Sequence, residues 1–158
     1  MILPSSFYSR PTTRVARDLI GQILVHETPE GIASGRIVEV EAYLPKRDPG
    51  SHAARGQTPR NSIMFGPAGF AYVYFCYGNH FLFNVVTERE GTPGGVLIRA
   101  LEPVEGAGIM QSRRPLAKPP LVASGPGCLA TAMGIDRQLD GVDLCGKGPF
   151  WRKAFLLL

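Results

Sequence analysis

The stretch GRIVEVEAYL, residues 35–44, alternates polar and apolar side chains and lies between two turn-forming segments. This alternation predicts a β-strand from Ser34 to Tyr43, because successive side chains of a strand point to opposite faces. One face would carry Val38, Val40 and Ala42, and the other Ile37, Glu39, Glu41 and Tyr43. Such a strand would place two carboxylates and an aromatic ring side by side on one surface.

The segments around this strand predict a domain rich in hairpins. Residues 23–25 and 96–100 are β-favouring, and the runs FAYVYFCY (70–77) and FLFNVVT (81–87) predict a hairpin with Tyr77 at its tip. Short helices are predicted from a cap at Thr12 or Thr13 to Ile20, with Gly21 as the stop, and over residues 105–113. Residues 45–61, which hold several Pro and Gly, predict a long loop.

The segment SGPG, residues 124–127, predicts the start of another helix. It is either an ordinary helix with a Ser cap and Pro in its first turn, or a helix start whose exposed amides bind a phosphate. The residues alone favour the ordinary cap.

Length and composition indicate one soluble globular domain. The 158 residues suffice for a single core, and no apolar run approaches the roughly 18 residues of a membrane span. Three cysteines without CxxC spacing fit a reduced, intracellular setting. We therefore expect a cytoplasmic monomer that does not bind a membrane. The net charge of +4 permits a polyanionic partner but does not require one.

Several kinds of chemistry have no motif in this chain. The sequence contains no HExxH, no paired CxxC and no P-loop, and GTPGG lacks the strand-to-helix context of a nucleotide site. We therefore expect no metal and no cofactor.

Glu39 and Glu41 have two alternative interpretations. Acidic residues two apart on a strand are often the solvated side of a sheet edge, and from this segment alone that interpretation is favoured. Burying an unpaired carboxylate is costly, so each must be exposed, paired or functional. Tyr43, two residues after Glu41, shifts the balance towards catalysis because it would place a ring beside a base.

The aromatic run and two polar residues also allow alternatives. Tyr74 and its neighbours in the strand are typical of a core, whereas Tyr77 beside a glycine at a hairpin tip suits a wedge between base pairs. Asn84 interrupts an apolar strand, so its amide either bonds within the core or reads a purine edge. His52, in the long loop, is either a surface histidine or a planar partner of a base.

Four ordered motifs resemble the alkyladenine (3-methyladenine) DNA glycosylase family. They are GRIVEVEAYL (35–44), RGQTPRN (55–61), YVYFCYGNHFLFN (72–84) and VLIRALEPVEG (96–106). The resemblance runs from about residue 14 to residue 143, and four motifs in this order are far more specific than any single short pattern.

The resemblance implies a role for each residue that matches a motif. Glu41 would be the general base and Arg99 its electrostatic partner in the active site. Tyr43, His52 and Tyr74 would form the walls of the base pocket, and Asn84 would disfavour a guanine 2-amino group. Tyr77 would intercalate, and Arg55 and Arg60 would lie along the DNA backbone.

The family also implies a fold and an activity. The fold is an α/β domain of the α+β type, a single domain over residues 1–158 around a curved, mainly antiparallel sheet with peripheral helices. The activity is monofunctional excision of alkylated or deaminated purines from double-stranded DNA, without a cofactor. A repair enzyme of this kind would be cytoplasmic, and associated with the nucleoid if bacterial.

The end of the sequence departs from the family pattern. After DGVDL (140–144) the chain continues as GPFWRKAFLLL (148–158), where the family has a further closing segment beside the active site. We therefore expect the closing C-terminal segment to be missing. Two rival functions stay open: a non-catalytic DNA-binding remnant of the family, and a small-molecule hydrolase with an aromatic pocket.

Overall fold

A computed structural model of the chain describes residues 1–146 and 155–158. The helices are α1 (Ser5–Tyr8), α2 (Thr12–Leu19), α3 (Ala107–Arg113) and α4 (Pro126–Met133), with short 3-10 helices at Ser62–Phe65, Pro119–Leu121 and Arg137–Leu139. The strands are β1 (Ile23–Thr28), β2 (Gly31–Tyr43), β3 (Ala71–Cys76), β4 (His80–Thr87), β5 (Gly94–Glu105) and β6 (Phe155–Leu157). Residues 147–154, which include the first part of GPFWRKAFLLL, lie outside the described residues.

The six strands form one curled sheet in the order β3-β4-β5-β2-β1-β6. Every pair of neighbours is antiparallel. The long strands β2 and β5 lie at the centre, and the β3–β4 hairpin forms one side of the sheet. The fold class expected from the resemblance, a single α+β domain around a curved antiparallel sheet, is confirmed.

The core lies between one face of the sheet and the helices α2 and α4. Helix α4 packs on β4 and β5, and α2 packs on β2. Phe83, Ile98, Val15 and Leu129 are completely buried there. Apolar burial of this kind is the main favourable contribution to folding, and it fixes the central strands against the helices.

Helix α2 confirms the predicted helix, but its predicted cap is wrong. Pro11 is the N-cap, and neither Thr12 nor Thr13 caps the helix with its side chain. The Glu88 carboxylate, from the end of β4, instead accepts hydrogen bonds from the backbone N–H of Thr12 (2.7 Å) and from its hydroxyl (2.8 Å). A negative charge at this end of a helix is favourable.

Helix α4 likewise begins where SGPG predicted, but without a Ser cap. The N-cap is Gly125, with a positive φ of 98°, and Pro126 is the first helical residue. A side chain at position 125 would be strained in this conformation, so the glycine determines how the chain enters the helix.

The regular alternation predicted for β2 is interrupted. Ile37 lies opposite Leu101, Glu39 opposite Ala100, and Val40 opposite Ile98, so Val38 on β2 and Arg99 on β5 are extra residues in the ladder. Two adjacent bulges therefore interrupt the period of two. Consequently Ile37 is fully buried, whereas Glu39 and Glu41, which were expected on its face, are exposed.

We expect Glu88→Ala to lower the free energy of unfolding by about 1–2 kcal/mol, because the first turn of α2 loses the acceptor for its amide. Urea denaturation measures this change. Glu90→Ala is the matched control, since Glu90 is exposed on the same turn. Equal stability of the two variants would contradict a capping role for Glu88.

Candidate functional site

Arg99 lies between two carboxylates of the neighbouring strand. Its Nε donates to Glu39 Oε1 at 2.8 Å, and its NH1 donates to Glu41 Oε2 at 2.9 Å. The hydrogen bond to Glu39, followed by the charges of both carboxylates, raises the pKa of Arg99 above its ordinary value. The guanidinium is therefore a permanent positive charge beside Glu41.

Tyr43 forms a hydrogen bond with the other carboxylate oxygen of Glu41. Its hydroxyl donates to Glu41 Oε1 at 2.8 Å, as the two-residue spacing on β2 allows. Burial first, and then the Glu41 carboxylate, raise the pKa of Tyr43. The phenol therefore stays protonated and remains a donor, so Glu41 is held by a hydrogen bond at each oxygen.

An aromatic cluster adjoins this carboxylate. The ring centroids of His52 and Tyr74 are 4.3 Å apart, and those of Tyr72 and Tyr74 are 5.2 Å apart. A narrow pocket is lined by six residues: Tyr43, His52, Met64, Tyr72, Tyr74 and Asn84. The strands β2, β3 and β4 and the loop after β2 thus contribute to one concave site.

The pocket is too small for a purine in this conformation. Only about 10 Å³ can be visited by the centre of a water molecule, which is room for about one water. A ring inserted between His52 and Tyr74 would need their centroids about 7 Å apart, twice the contact distance of carbon atoms. Because His52 lies in the long loop of residues 44–61, movement of this loop would widen the pocket with the sheet unchanged.

His52 is held as a neutral ring. Its Nδ1 is 3.0 Å from the Tyr72 hydroxyl, and although the residue is exposed overall, its ring packs against Tyr72 and Tyr74. This partial burial, and then the positive charge of Arg60, lower the pKa of His52. Burial also raises the pKa of Tyr72 to about 12, so that phenol is protonated too.

Asn84 is buried at the pocket wall, with 4% of its surface exposed. Its Nδ2 donates to the Tyr72 carbonyl at 3.3 Å, across the β3–β4 ladder. The amide therefore has a partner inside the protein, as the first alternative expects, and the residue also lines the cavity.

Tyr77 stands at the tip of the β3–β4 hairpin, as predicted. It is 97% exposed and has a positive φ of 52°, next to Gly78 at 70°. A left-handed conformation is uncommon for a residue with a side chain. The turn therefore projects a large ring into solvent, away from the core.

The two arginines of the loop differ in position. Arg60 donates from NH2 to the Phe75 carbonyl at 3.0 Å, and its guanidinium carbon is 5.5 Å from the centroid of Tyr74. Arg60 therefore lies at the rim of the pocket, whereas Arg55 is exposed on the loop.

The structure brings together most of the residues proposed from the sequence and adds three. Tyr72 and Met64 line the pocket, and Glu39 bonds the same guanidinium as Glu41. The sequence interpretation treated Tyr72 as core, and the residue is indeed buried, with 2% of its surface exposed. Its spacing of two from Tyr74 also places both rings on one face of β3, so Tyr72 lines the pocket as well. Met64 follows the loop in a short 3-10 helix, and no sequence pattern signalled its place in the pocket.

The described residues contain neither a candidate metal site nor a candidate membrane-spanning helix. No group of three or more His, Cys, Asp or Glu side chains there could hold a metal ion. None of the helices in the described part of the chain is long and apolar enough to cross a membrane.

Comparison with known proteins gives one consistent family. The model of the family "Methylpurine-DNA glycosylase (MPG)" matches residues 6–155. The chain is 52% identical over 151 residues to a protein named "Putative 3-methyladenine DNA glycosylase" from Methanocella arvoryzae, covering 95% of this chain and 76% of that protein. Proteins of the same name from Methanoculleus marisnigri (55% over 144 residues; 91% and 74%) and Chlorobaculum parvum (49% over 153 residues; 96% and 73%) are also similar.

We expect the pKa of His52 to lie below the ordinary histidine value of 6.5 and to rise towards it in Arg60→Gln. Removing the nearby cation favours the protonated ring, so the ring of the variant gains its proton at a higher pH. Some lowering should persist because burial, the larger cause, is unchanged. NMR titration of the imidazole measures both values, with Arg55→Gln as the control. A native pKa at or above 6.5 would contradict this electrostatic picture.

Proposed function

The chain belongs to the methylpurine-DNA glycosylase family, and we propose that it is a monofunctional DNA repair enzyme that hydrolyses the N-glycosidic bond of damaged purines. Its partner would be double-stranded DNA that contains an alkylated or deaminated purine. One observation carries the proposal: Glu41, bonded by Tyr43 and Arg99, adjoins an aromatic pocket whose rings can stack on a base.

The reaction requires the target nucleotide to leave the duplex. A base inside a stack cannot reach a pocket in a protein, and extrusion costs a few kcal/mol. The ring of Tyr77, exposed at the hairpin tip, would insert into the gap that the extruded base leaves. Tyr77 and the pocket residue Tyr74 belong to the same hairpin, which supports coupling between insertion of the Tyr77 ring and binding of the extruded base.

Recognition of damage would depend on charge as well as shape. Alkylation makes the purine cationic, and a cation is attracted to the faces of aromatic rings such as Tyr43 and Tyr74. A neutral His52 adds a planar surface without repelling that cation. The buried amide of Asn84 would disfavour the 2-amino group of an undamaged guanine.

Glu41 would act on the attacking water. As the glycosidic bond breaks, its electron pair goes to the base and the sugar develops positive charge. The carboxylate stabilises that charge and takes a proton from the water as the new carbon–oxygen bond forms. A cationic alkylpurine leaves as a neutral base, whereas a neutral lesion such as hypoxanthine leaves as an anion that takes up the proton released by the attacking water. Arg99 and Tyr43 would fix the direction in which Glu41 points.

Binding to the rest of the duplex would be electrostatic. Arg55, exposed on the loop, and Arg60, at the rim, are suited to contact phosphates on either side of the extruded nucleotide. Such contacts release counterions, so affinity should fall as salt rises.

A single-turnover assay on duplexes that contain 1,N6-ethenoadenine or hypoxanthine tests this function. We expect the native chain to release the base and Glu41→Gln to release it about 10²–10⁴-fold more slowly, with binding largely retained, because a general base of this kind accounts for that factor. Glu102→Gln is the control, since Glu102 is an exposed acid on β5 that pairs with Arg36.

The outcomes of this assay separate the rival functions. Binding without release by the native chain would indicate the non-catalytic remnant, and absence of both would favour a small-molecule hydrolase. Near-native release by Glu41→Gln would rule out Glu41 as the base.

We expect Tyr77→Ala to weaken binding to a lesion duplex far more than binding to the same lesion in a single strand. An intercalating ring is useful only within a stack, and fluorescence anisotropy on the two substrates measures the difference. Leu116→Ala is the control, because Leu116 is equally exposed away from the hairpin. Equal losses on both substrates would show that Tyr77 does not intercalate.

A further inference from the structure

Glu39 is a carboxylate that the proposed mechanism leaves without a role. It lies two residues before Glu41 and accepts the Nε hydrogen of the arginine that also contacts Glu41. We propose that Glu39 is a positioning residue, which fixes the Arg99 guanidinium so that Arg99 makes a single hydrogen bond with Glu41 and leaves it able to activate water. This inference rests on the proposed function and deepens it.

The donor geometry of arginine supports this role. A guanidinium has five N–H donors in a planar fork and pairs readily with a carboxylate through two parallel hydrogen bonds. Here Nε is taken by Glu39, and only NH1 reaches Glu41. Without Glu39, the guanidinium can turn and bind both oxygens of Glu41.

The acceptor capacity of Glu41 shows why that turn matters. A carboxylate has about four lone-pair positions on its two oxygens. The Tyr43 hydroxyl uses one on Oε1 and Arg99 one on Oε2, which leaves positions for the attacking water. A two-bond pair with Arg99 would compete for those positions.

The two adjacent bulges in the β2–β5 ladder position the side chains of Arg99, Glu39 and Glu41. Arg99 is the extra residue of β5 at this point of the ladder, and Glu39 lies opposite Ala100, next to it. The guanidinium therefore projects across β2 between Glu39 and Glu41, one on each side. A regular ladder would pair Arg99 with one residue of β2, and bulges are common beside active sites for this reason.

The negative charge of Glu39 also affects the interaction of Arg99 with Glu41. Glu39, Glu41 and Arg99 together carry a net charge of −1 when ionised, so the positive charge is shared between two acids. The charge of Glu41 also acts on the phenols of Tyr43 on β2 and Tyr74 on β3. Burial, together with that charge, raises the pKa of both phenols, so both stay neutral. Removing the charge of Glu39 leaves the whole of the Arg99 charge to Glu41.

Removal of Glu39 should not disturb folding. The side chains of Arg99 and Glu39 are 34% and 56% exposed, and ion pairs in such positions contribute little to stability. A change in activity of Glu39 variants can therefore be attributed to the site.

The test compares single-turnover excision in native protein, Glu39→Ala, Glu39→Gln and the control Glu102→Gln. Glu39→Ala should slow excision about 10- to 100-fold at unchanged affinity for the lesion duplex, since small errors in geometry have effects of this size. Glu39→Gln keeps an acceptor for Nε and should lose less.

A second readout does not depend on activity. In the native protein the Arg99 Nε–H should give an NMR signal that exchanges slowly with water; it should be lost in Glu39→Ala and kept in Glu102→Gln. Native rates in both Glu39 variants would overturn the role of Glu39 while leaving the proposed function intact, as would an unchanged NMR signal in Glu39→Ala. Failure of the native chain to release any base would overturn the proposed function and, with it, the catalytic part of this inference. The NMR comparison would then test only whether Glu39 fixes the position of Arg99.

Discussion

The irregular pairing of β2 with β5 is the constraint on which the site depends. Two long antiparallel strands of regular register would bury every second residue of β2 against the helices. The extra residues Val38 and Arg99 break that period, so Ile37 packs in the core while Glu39 and Glu41 face solvent. A carboxylate buried without a partner would be costly, and this break in the ladder avoids that cost.

The rest of the site is assembled around that pair of strands. The β3–β4 hairpin joins β5 through β4, which brings Tyr72, Tyr74 and Asn84 beside Glu41. The loop after β2 returns across this surface and adds His52. Strands thus hold Glu41, Tyr43 and Tyr74, whereas a loop holds His52, whose ring would have to move for another ring to enter between it and Tyr74. Elements that open in this way are usually the least stable parts of a fold.

The electrostatics of the site follow from partial burial. Packing raises the pKa values of the tyrosine phenols and lowers that of His52, so the pocket is lined by neutral rings. The charged groups near these rings include the Glu39–Arg99–Glu41 group, Arg60 at the rim and Asp140, which acts on Tyr72. A site of this kind separates a neutral surface suited to stacking from a charged group suited to proton transfer.

Periodicity, turn residues and motif order are local properties of a chain, and they sufficed to predict strand β2, the hairpin with Tyr77 at its tip, the long loop and the family. They also indicated Glu41 with Tyr43, since a spacing of two on a strand needs no knowledge of partners. Three features could be seen only in the folded protein: Glu88 caps α2, Tyr72 lines the pocket, and Arg99 joins Glu39 to Glu41. These contacts link residues distant in sequence, and the bulges that create the last of them arise from how two strands pair, which neither strand specifies alone.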